Sequence, residues 1–229
     1  MESELIIIII VVVILVFYQT IILSLFRIHR IVNKRLRYAY HDNKTSETGF
    51  WTDDQRTTHI TSDKLKRKLL TFYQKKNANY ILDFGCGDGS YVKYLRKNGL
   101  DAFGIDRNTH LVGNHFYIDG DLSTKLNLQF MSDYSQSFEV GEHIPFDKMG
   151  VFIDNICNHS KKGVIISWAL EGQGGDGHIN EQENDVIIDE FQKRNFTYDK
   201  KASDYFKNDF YGLYFMYFSD SIMVFTRND

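Results

Sequence analysis

The chain of 229 residues is 43% hydrophobic and 25% charged, the make-up of a globular chain long enough for one sizeable domain and an appendage. Its 27 Lys/Arg and 30 Asp/Glu leave a net charge of −3, and it has only two cysteines, Cys86 and Cys157. That composition excludes a disulfide framework and agrees with a reducing compartment. No basic stripe interleaved with aromatics occurs either, so nucleic acid is not an expected partner.

The first element is apolar. Residues 5–26, LIIIIIVVVILVFYQTIILSLF, form an uncharged run of 22, about the ~20 that a helix needs to cross a bilayer core. The acidic start, with Glu2 and Glu4, and the bulky Leu25 and Phe26 at its end argue against a cleaved signal peptide. A single-pass transmembrane helix over about 5–26 is therefore expected. Arg27, Arg30, Lys34, Arg35 and Arg37 follow at once; the positive-inside rule puts that flank, and the domain behind it, on the cytosolic face, with the arginines against lipid headgroups. Without residues 1–37 the chain keeps 22 basic and 28 acidic residues, a net of −6. Three N-x-[ST] sequons, at Asn43, Asn158 and Asn195, are of a kind common by chance. Glycosylation at any of them would place the domain in a lumen.

Residues 38–61 are polar and aperiodic apart from Phe50 and Trp51, and are read as a linker whose aromatic pair is a candidate lid. The domain proper is expected over 62–229. A helix over 62–76 carries Leu65, Leu69, Leu70, Phe72 and Tyr73 on one face, with Ser62 as N-cap. YILDFG (80–85) is a short apolar strand, and SYVKYLRKNG (90–99) a helix closed by Gly99. DAFGID (101–106) and FYIDGDL (116–122) are the second and third strands, and SFEV (137–140) the fourth. A helix over 145–160 starts with Pro145 in its first turn. GVIISWAL (163–170) is the fifth strand. A helix over 180–195 carries Val186, Ile187 and Phe191 on one face. The β-forming tail is expected to add two strands, in 210–219 and 221–227, as a closing hairpin. Strands alternating with helices predict an α/β, doubly wound, mostly parallel sheet of seven strands, covered on both faces.

The turn DFGCGDG (83–89) sets Asp83, Gly85, Gly87 and Gly89 between a strand and a helix, where glycines let the backbone approach a ligand closely. The dinucleotide fingerprint G-x-G-x-x-G fails at Ser90, and no G-x-x-x-x-G-K-[ST] occurs, which excludes a P-loop. Acidic-x-Gly-x-Gly-x-Gly fits at every position. This pattern resembles the cofactor motif of class I S-adenosylmethionine-dependent methyltransferases. Asp106, ending the second strand 23 residues after Asp83, stands where an acidic residue holds ribose hydroxyls. Asp121 in DGDLS (119–123) resembles the residue of that family that bonds the adenine amino group. The resemblance implies a Rossmann-like methyltransferase fold with S-adenosyl-L-methionine as cofactor. It implies that Asp83 fixes the ammonium of the methionine part over Gly85, Gly87 and Gly89, with Arg107 and Leu122 adjoining the cofactor set. Cys86 lies within that turn and is read as a small packing residue. Three alternatives stand beside this: a structural glycine turn, a non-catalytic scaffold or membrane-recruitment module, and a nicotinamide-dependent oxidoreductase.

FEVGEHIP (138–145) is similar to the E-V-x-E-H-[IV]-P segment of the quinone and small-molecule O-methyltransferase branch. By that likeness Glu139 faces the methionine end and His143 lies near the acceptor. Gly141 departs from the branch, which carries a bulky apolar residue there, and is expected to widen the pocket. His143 suits a base, since an imidazole titrates near neutral pH, and Glu142 is its orienting partner or a cap. The glycine-rich loop over 167–184, SWALEGQGGDGHINEQEN, follows the fifth strand and so emerges at the ligand edge of the sheet. Two readings compete there. In one, Trp168, Gln173, His178 and Asn180 face the acceptor, His178 being the second candidate base. In the other, the loop is a surface connection with Asn180 capping the next helix. His178 has no second His or Cys at ligand spacing, so no metal is expected. The acceptor class is a small molecule, a glycan or a lipid-like molecule.

Overall fold

A computed structural model describes residues 17–19, 21, 46–50, 61–107, 113–208, 210 and 216–229. The chain divides into two units, Met1–His41 and Asp42–Asp229. The predicted anchor over 5–26 and its basic flank lie outside the described residues, except that residues 17–19 and 21 are helical. Among the described residues no helix is long and apolar enough to cross a membrane.

The second unit is a seven-stranded sheet in the order β3-β2-β1-β4-β5-β7-β6. The strands are β1 (Tyr80–Phe84), β2 (Asp101–Asp106), β3 (Tyr117–Asp119), β4 (Ser132–Ser137), β5 (Ser160–Ile166), β6 (Phe196–Tyr198) and β7 (Met223–Arg227). The first five pair in parallel, and β7 runs antiparallel to both of its neighbours. The described helices of this unit are α1 (Asp63–Lys75), α2 (Ser90–Lys97), α3 (Met149–Asn158), α4 (Asn184–Gln192), α5 (Lys200–Lys207) and α6 (Met216–Ser221).

The two-residue period of each strand sorts its side chains to opposite faces. Ile81, Ile165 and Val224 pack with Leu65, Leu69 and Phe72 of α1, Val92 and Leu95 of α2, and Phe206 of α5. Their neighbours Leu82, Phe84, Val164, Ile166 and Phe225 pack with Phe152 and Ile156 of α3 and Ile187 and Phe191 of α4. Both faces are thus covered, as apolar strands require. Ser62 caps α1, its hydroxyl accepting from the Leu65 amide at 3.2 Å, a bond worth about 1 kcal/mol.

Three predicted elements differ. The fourth strand is SDYSQS, before the expected SFEV, and residues 138–140 form the loop beyond it. Its polar residues hid it, yet Ser135, Gln136 and Ser137 are fully buried because β4 lies between β1 and β5. There hydroxyls find partners: Ser137 donates to the Phe84 carbonyl at 2.7 Å and Ser160 to Ser135 at 2.6 Å. Among the described residues of the tail, Tyr217 and Phe218 lie in α6 where strand was expected, and β7 pairs with β5 and the short β6. In α4, Ile187 and Phe191 are buried but Val186 is 38% exposed.

Candidate active site

The strand order reverses between β1 and β4, and in such sheets ligands bind at the carboxyl ends of the strands beside that point. The loops after β1, β2, β3 and β4 meet there around an open cleft.

Its floor is the turn from β1 to α2. Gly85, Gly87 and Gly89 have φ of +80°, +56° and +71°, a region that side chains rarely occupy. Gly85 is doubly constrained, since a Cβ there would lie 2.4 Å from Val140 Cγ2. The turn hangs from β2, with the Gly85 amide donating to the Ile105 carbonyl at 2.8 Å. Cys86 is buried and packs on Gly104, where a Cβ would stand 2.5 Å from its sulfur. Burial pushes its thiol well up, as befits a packing residue. The Asp88 carboxylate accepts from the Ser90 amide, the first of the following helix, at 2.8 Å.

Asp106 and Asp121 line one wall with Arg107 and Leu122. The Asp106 carboxylate accepts from the Gly87 amide at 2.8 Å, tying strand end to glycine turn. Asp121 Oδ1 accepts from the Ser123 amide and hydroxyl at 2.9 and 2.7 Å. Its Oδ2 lies 3.7 Å from Arg107, whose guanidinium stands 5.1 Å from the Phe50 ring centroid. Phe50 comes with Thr48 and Gly49, which also line the cleft. Gly49 has φ +95°, and a Cβ on it would lie 2.3 Å from the His143 carbonyl oxygen, so residues 46–50 press on the backbone of the opposite wall. Trp51, the other half of the candidate lid, lies outside the described residues.

Asp83 does not reach the cleft surface. It is 2% exposed, its Oδ2 has no hydrogen-bond partner, and burial raises its carboxyl to about 7. The nearby Gln136 side chain opposes that rise, and the charges of Asp106 and Asp88 add to it. Glu139, by contrast, lines the cleft together with Asp106 and Asp121. Its φ of +54° is unusual for a side-chain-bearing residue and costs of order 1–3 kcal/mol. Ser167 holds it: the hydroxyl accepts from the Glu139 amide at 2.9 Å and donates to Oε1 at 2.7 Å. Gln173 Nε2 donates to the other oxygen at 3.3 Å. Burial raises the Glu139 carboxyl.

The glycine-rich loop is stapled to the turn 141–143. The amides of Ile179 and Asn180 donate to the Glu142 carbonyl at 2.9 and 2.8 Å. Here the structure corrects three expectations. Gly141 does not widen the pocket, because the indole of Trp168 fills the space where its Cβ would be, with ring atoms at 2.1–2.4 Å. Trp168 is fully buried and donates to the Asn180 carbonyl at 2.7 Å, so it is packing and faces no acceptor. Asn180 is likewise fully buried, its side-chain oxygen accepting from Gln182 at 2.6 Å. It caps nothing, since α4 begins after Glu183 without a side-chain cap.

His143 lines the cleft, and its Nδ1 lies 3.1 Å from the Gly177 carbonyl. His178, 35 residues on, meets it edge to face with ring centroids 5.0 Å apart. Glu142 is fully buried, with His178 Nε2 3.9 Å from its Oε1; burial, and next the Glu139 charge, push its carboxyl well up. Spacing along the chain argued against a metal at His178, but the fold supplies the missing imidazole from His143. Glu142, His143 and His178 each offer a ligand atom within 4.8 Å of the other two. Ser167, Gly175 and Glu181 lie within the glycine-rich loop but had no role assigned from the sequence, and Gly49 lies in the linker; only the loop crossings bring them to the site.

No curated protein matches the chain. Among solved structures, a magnesium protoporphyrin IX methyltransferase from Synechocystis, with bound SAH, is similar over 86% of this chain and 95% of that one, at 15% identity and a TM-score of 0.54. A sugar N-methyltransferase from Streptoalloteichus is similar over 77% and 91%, at 10% identity and a TM-score of 0.57. An amino pentose methyltransferase from Micromonospora echinaspora, with SAM bound, is similar over 76% and 94%, at 12% identity and a TM-score of 0.55. At these identities the likeness is one of fold. The model of one family, described as a methyltransferase domain, matches residues 55–170. That match spans just over half of the chain, and the protein belongs to this methyltransferase-domain family.

Proposed function

We propose that this methyltransferase moves the methyl group of S-adenosyl-L-methionine to an oxygen of a small-molecule, glycan or lipid-like acceptor at a membrane. One observation carries the reading: a single cleft runs from the positive-φ glycine turn and Asp106 to His143. The cleft fits the cofactor in its donor set. Asp106 and Asp121 offer carboxylates for ribose hydroxyls and an adenine amino group, and Gly85 and Gly87 line the cleft with positive-φ backbone. Glu139 is the carboxylate for the ammonium, through a charge-assisted hydrogen bond, while Asp83 is sealed beneath the turn. When bound, the cofactor supplies a methyl group on a sulfonium. The protein's part is alignment and removal of the acceptor's proton. His143, on the cleft wall, and His178 behind it are the groups for that proton, and Gln173 stands beside Glu139 at the mouth.

Several observations support the acceptor class and the membrane. Two of the structural neighbours are named for sugar acceptors and one for a porphyrin, all small molecules. The uncharged run over 5–26 and the basic flank behind it favour a single-pass anchor with the domain facing the cytosol; Phe17 and Tyr18 are 66% and 65% exposed. The testing experiment incubates the full chain in lipid micelles with labelled cofactor and fractionated lipids, glycans and small-molecule extracts. Label should appear in a base-stable ether or in an ester of one such fraction. Cofactor binding with no label transfer to any fraction would favour a scaffold instead. Glycan attached at Asn43, Asn158 or Asn195 would overturn the cytosolic orientation.

A further inference from the structure

We infer that Glu142, His143 and His178 form a binding site for a divalent first-row transition-metal ion at the acceptor end of the cleft. The inference rests on the methyl-transfer reading only for its purpose; the ion itself is a matter of donor geometry.

Two ligands about 2.1 Å from one ion lie roughly 3–4 Å apart. Here one carboxylate and two imidazoles already hold their ligand atoms within 4.8 Å of each other, so closure asks for movements of about an ångström. Glu142 supplies the independent sign of a missing partner. It is fully buried, neither carboxylate oxygen has a hydrogen bond, and His178 Nε2 lies 3.9 Å from its Oε1. A buried carboxylate is ordinarily paired or bound to a metal. Among the described residues no lysine or arginine pairs with it.

Both imidazoles are oriented as ligands are. A ligating histidine donates its second ring N–H to a carbonyl or carboxylate. His143 Nδ1 faces the Gly177 carbonyl at 3.1 Å, and His178 Nδ1 faces Glu181 Oε1 at 3.4 Å. A carbonyl can only accept, so the Gly177 contact places a proton on His143 Nδ1. The space beside His178 Nε2 is kept open by Gly175, where a Cβ would intrude to 2.4 Å. The amide bonds from Ile179 and Asn180 to the Glu142 carbonyl lock the two segments that carry the donors.

Two imidazoles and one carboxylate suit an ion from manganese to zinc better than calcium or magnesium. Three protein ligands leave positions open, as at catalytic centres, and His143 stands at the cleft wall where those positions would be reached. With the ion bound, the two histidines would be ligands in place of bases, and an acceptor oxygen on the ion would lose its proton more readily, to bulk water.

The test uses the full chain in micelles, stripped with chelator and titrated with Co²⁺ as a spectroscopic probe. One equivalent should produce a saturable visible absorption and raise Tm, with Mn²⁺ and Zn²⁺ competing and Mg²⁺ and Ca²⁺ not. His178→Ala and Glu142→Gln should each weaken Co²⁺ at least tenfold, and Glu181→Gln by about 10–100-fold. All three should keep the Tm rise given by S-adenosylmethionine, which shows that they fold. Glu142→Gln adds a second readout: without metal its Tm should rise above that of the parent, and the Co²⁺-dependent increment should vanish. No saturable absorption in the parent chain, or equal Co²⁺ affinity in the parent and both ligand variants, would overturn the inference. If cofactor binds and Co²⁺ does not, the metal site alone fails; if Co²⁺ binds and cofactor does not, the cofactor reading fails.

Discussion

Replacing Asp83 by asparagine isolates the cost of a charge held beneath the glycine turn. The carboxyl is 2% exposed, and burial raises it from the ordinary 3.8 to about 7. A folded-state pKa above the unfolded one means that the folded chain holds the proton more tightly, so the contribution to stability is full below about pH 4 and declines as pH rises through 7. Three units at about 1.4 kcal/mol each cap the total loss at roughly 4 kcal/mol. Between pH 5 and pH 8 the share still to be lost is about 2–3 kcal/mol. The asparagine variant has the same shape and no charge, so its stability relative to the parent chain should climb by that amount across the interval. Denaturant unfolding in micelles, followed by the fluorescence of the buried Trp168 at four or five pH values, measures it. Subtracting the parent curve removes the contributions of Glu139 and Glu142, which both chains share. A difference that stays flat within about 0.5 kcal/mol, or falls with pH, would refute the placement of an uncompensated carboxyl under the turn.

The other expectations are briefer. Gly85→Ala forces a side chain into φ +80° and against Val140 at 2.4 Å; cofactor affinity by calorimetry should fall more than about tenfold, since left-handed backbone costs ~1–2 kcal/mol before the clash. Asp106→Ala removes the acceptor of the Gly87 amide and should weaken cofactor by about tenfold or more, with a loss of Tm small beside it. Gly141→Ala drives a methyl into the Trp168 ring at 2.1 Å; Tm should drop by an amount matching about 1–3 kcal/mol. An unchanged Tm would mean that the indole does not fill that space.

How much of this was legible in the chain follows from the range of the forces involved. The glycine turn, the acids at the ends of β2 and β3, the cap at Ser62 and the order of strands and helices are local: each depends on residues within one turn or strand, so spacing and residue type suffice. The sheet's second periodicity is local too, which is why both layers of the core were foreseeable from apolar runs. Where burial is imposed from outside the segment, local pattern failed. β4 is polar in sequence, yet β1 and β5 on either side make it a central strand, and the hydroxyls of Ser135 and Ser137 find partners only across those neighbours.

The acceptor end shows the same division more sharply. Glu142 and His143 are adjacent in the chain, but His178 reaches them through a loop crossing that no spacing rule describes. Trp168, Asn180 and Gly141 looked like pocket residues and proved to be one packing unit, indole in place of a side chain. Residue chemistry by itself determined that this protein has a nucleoside-type cleft on a doubly wound sheet. Only the tertiary structure decided which side chains stand at that cleft, because exposure, pairing and donor geometry are properties of segments packed together and belong to none of them alone.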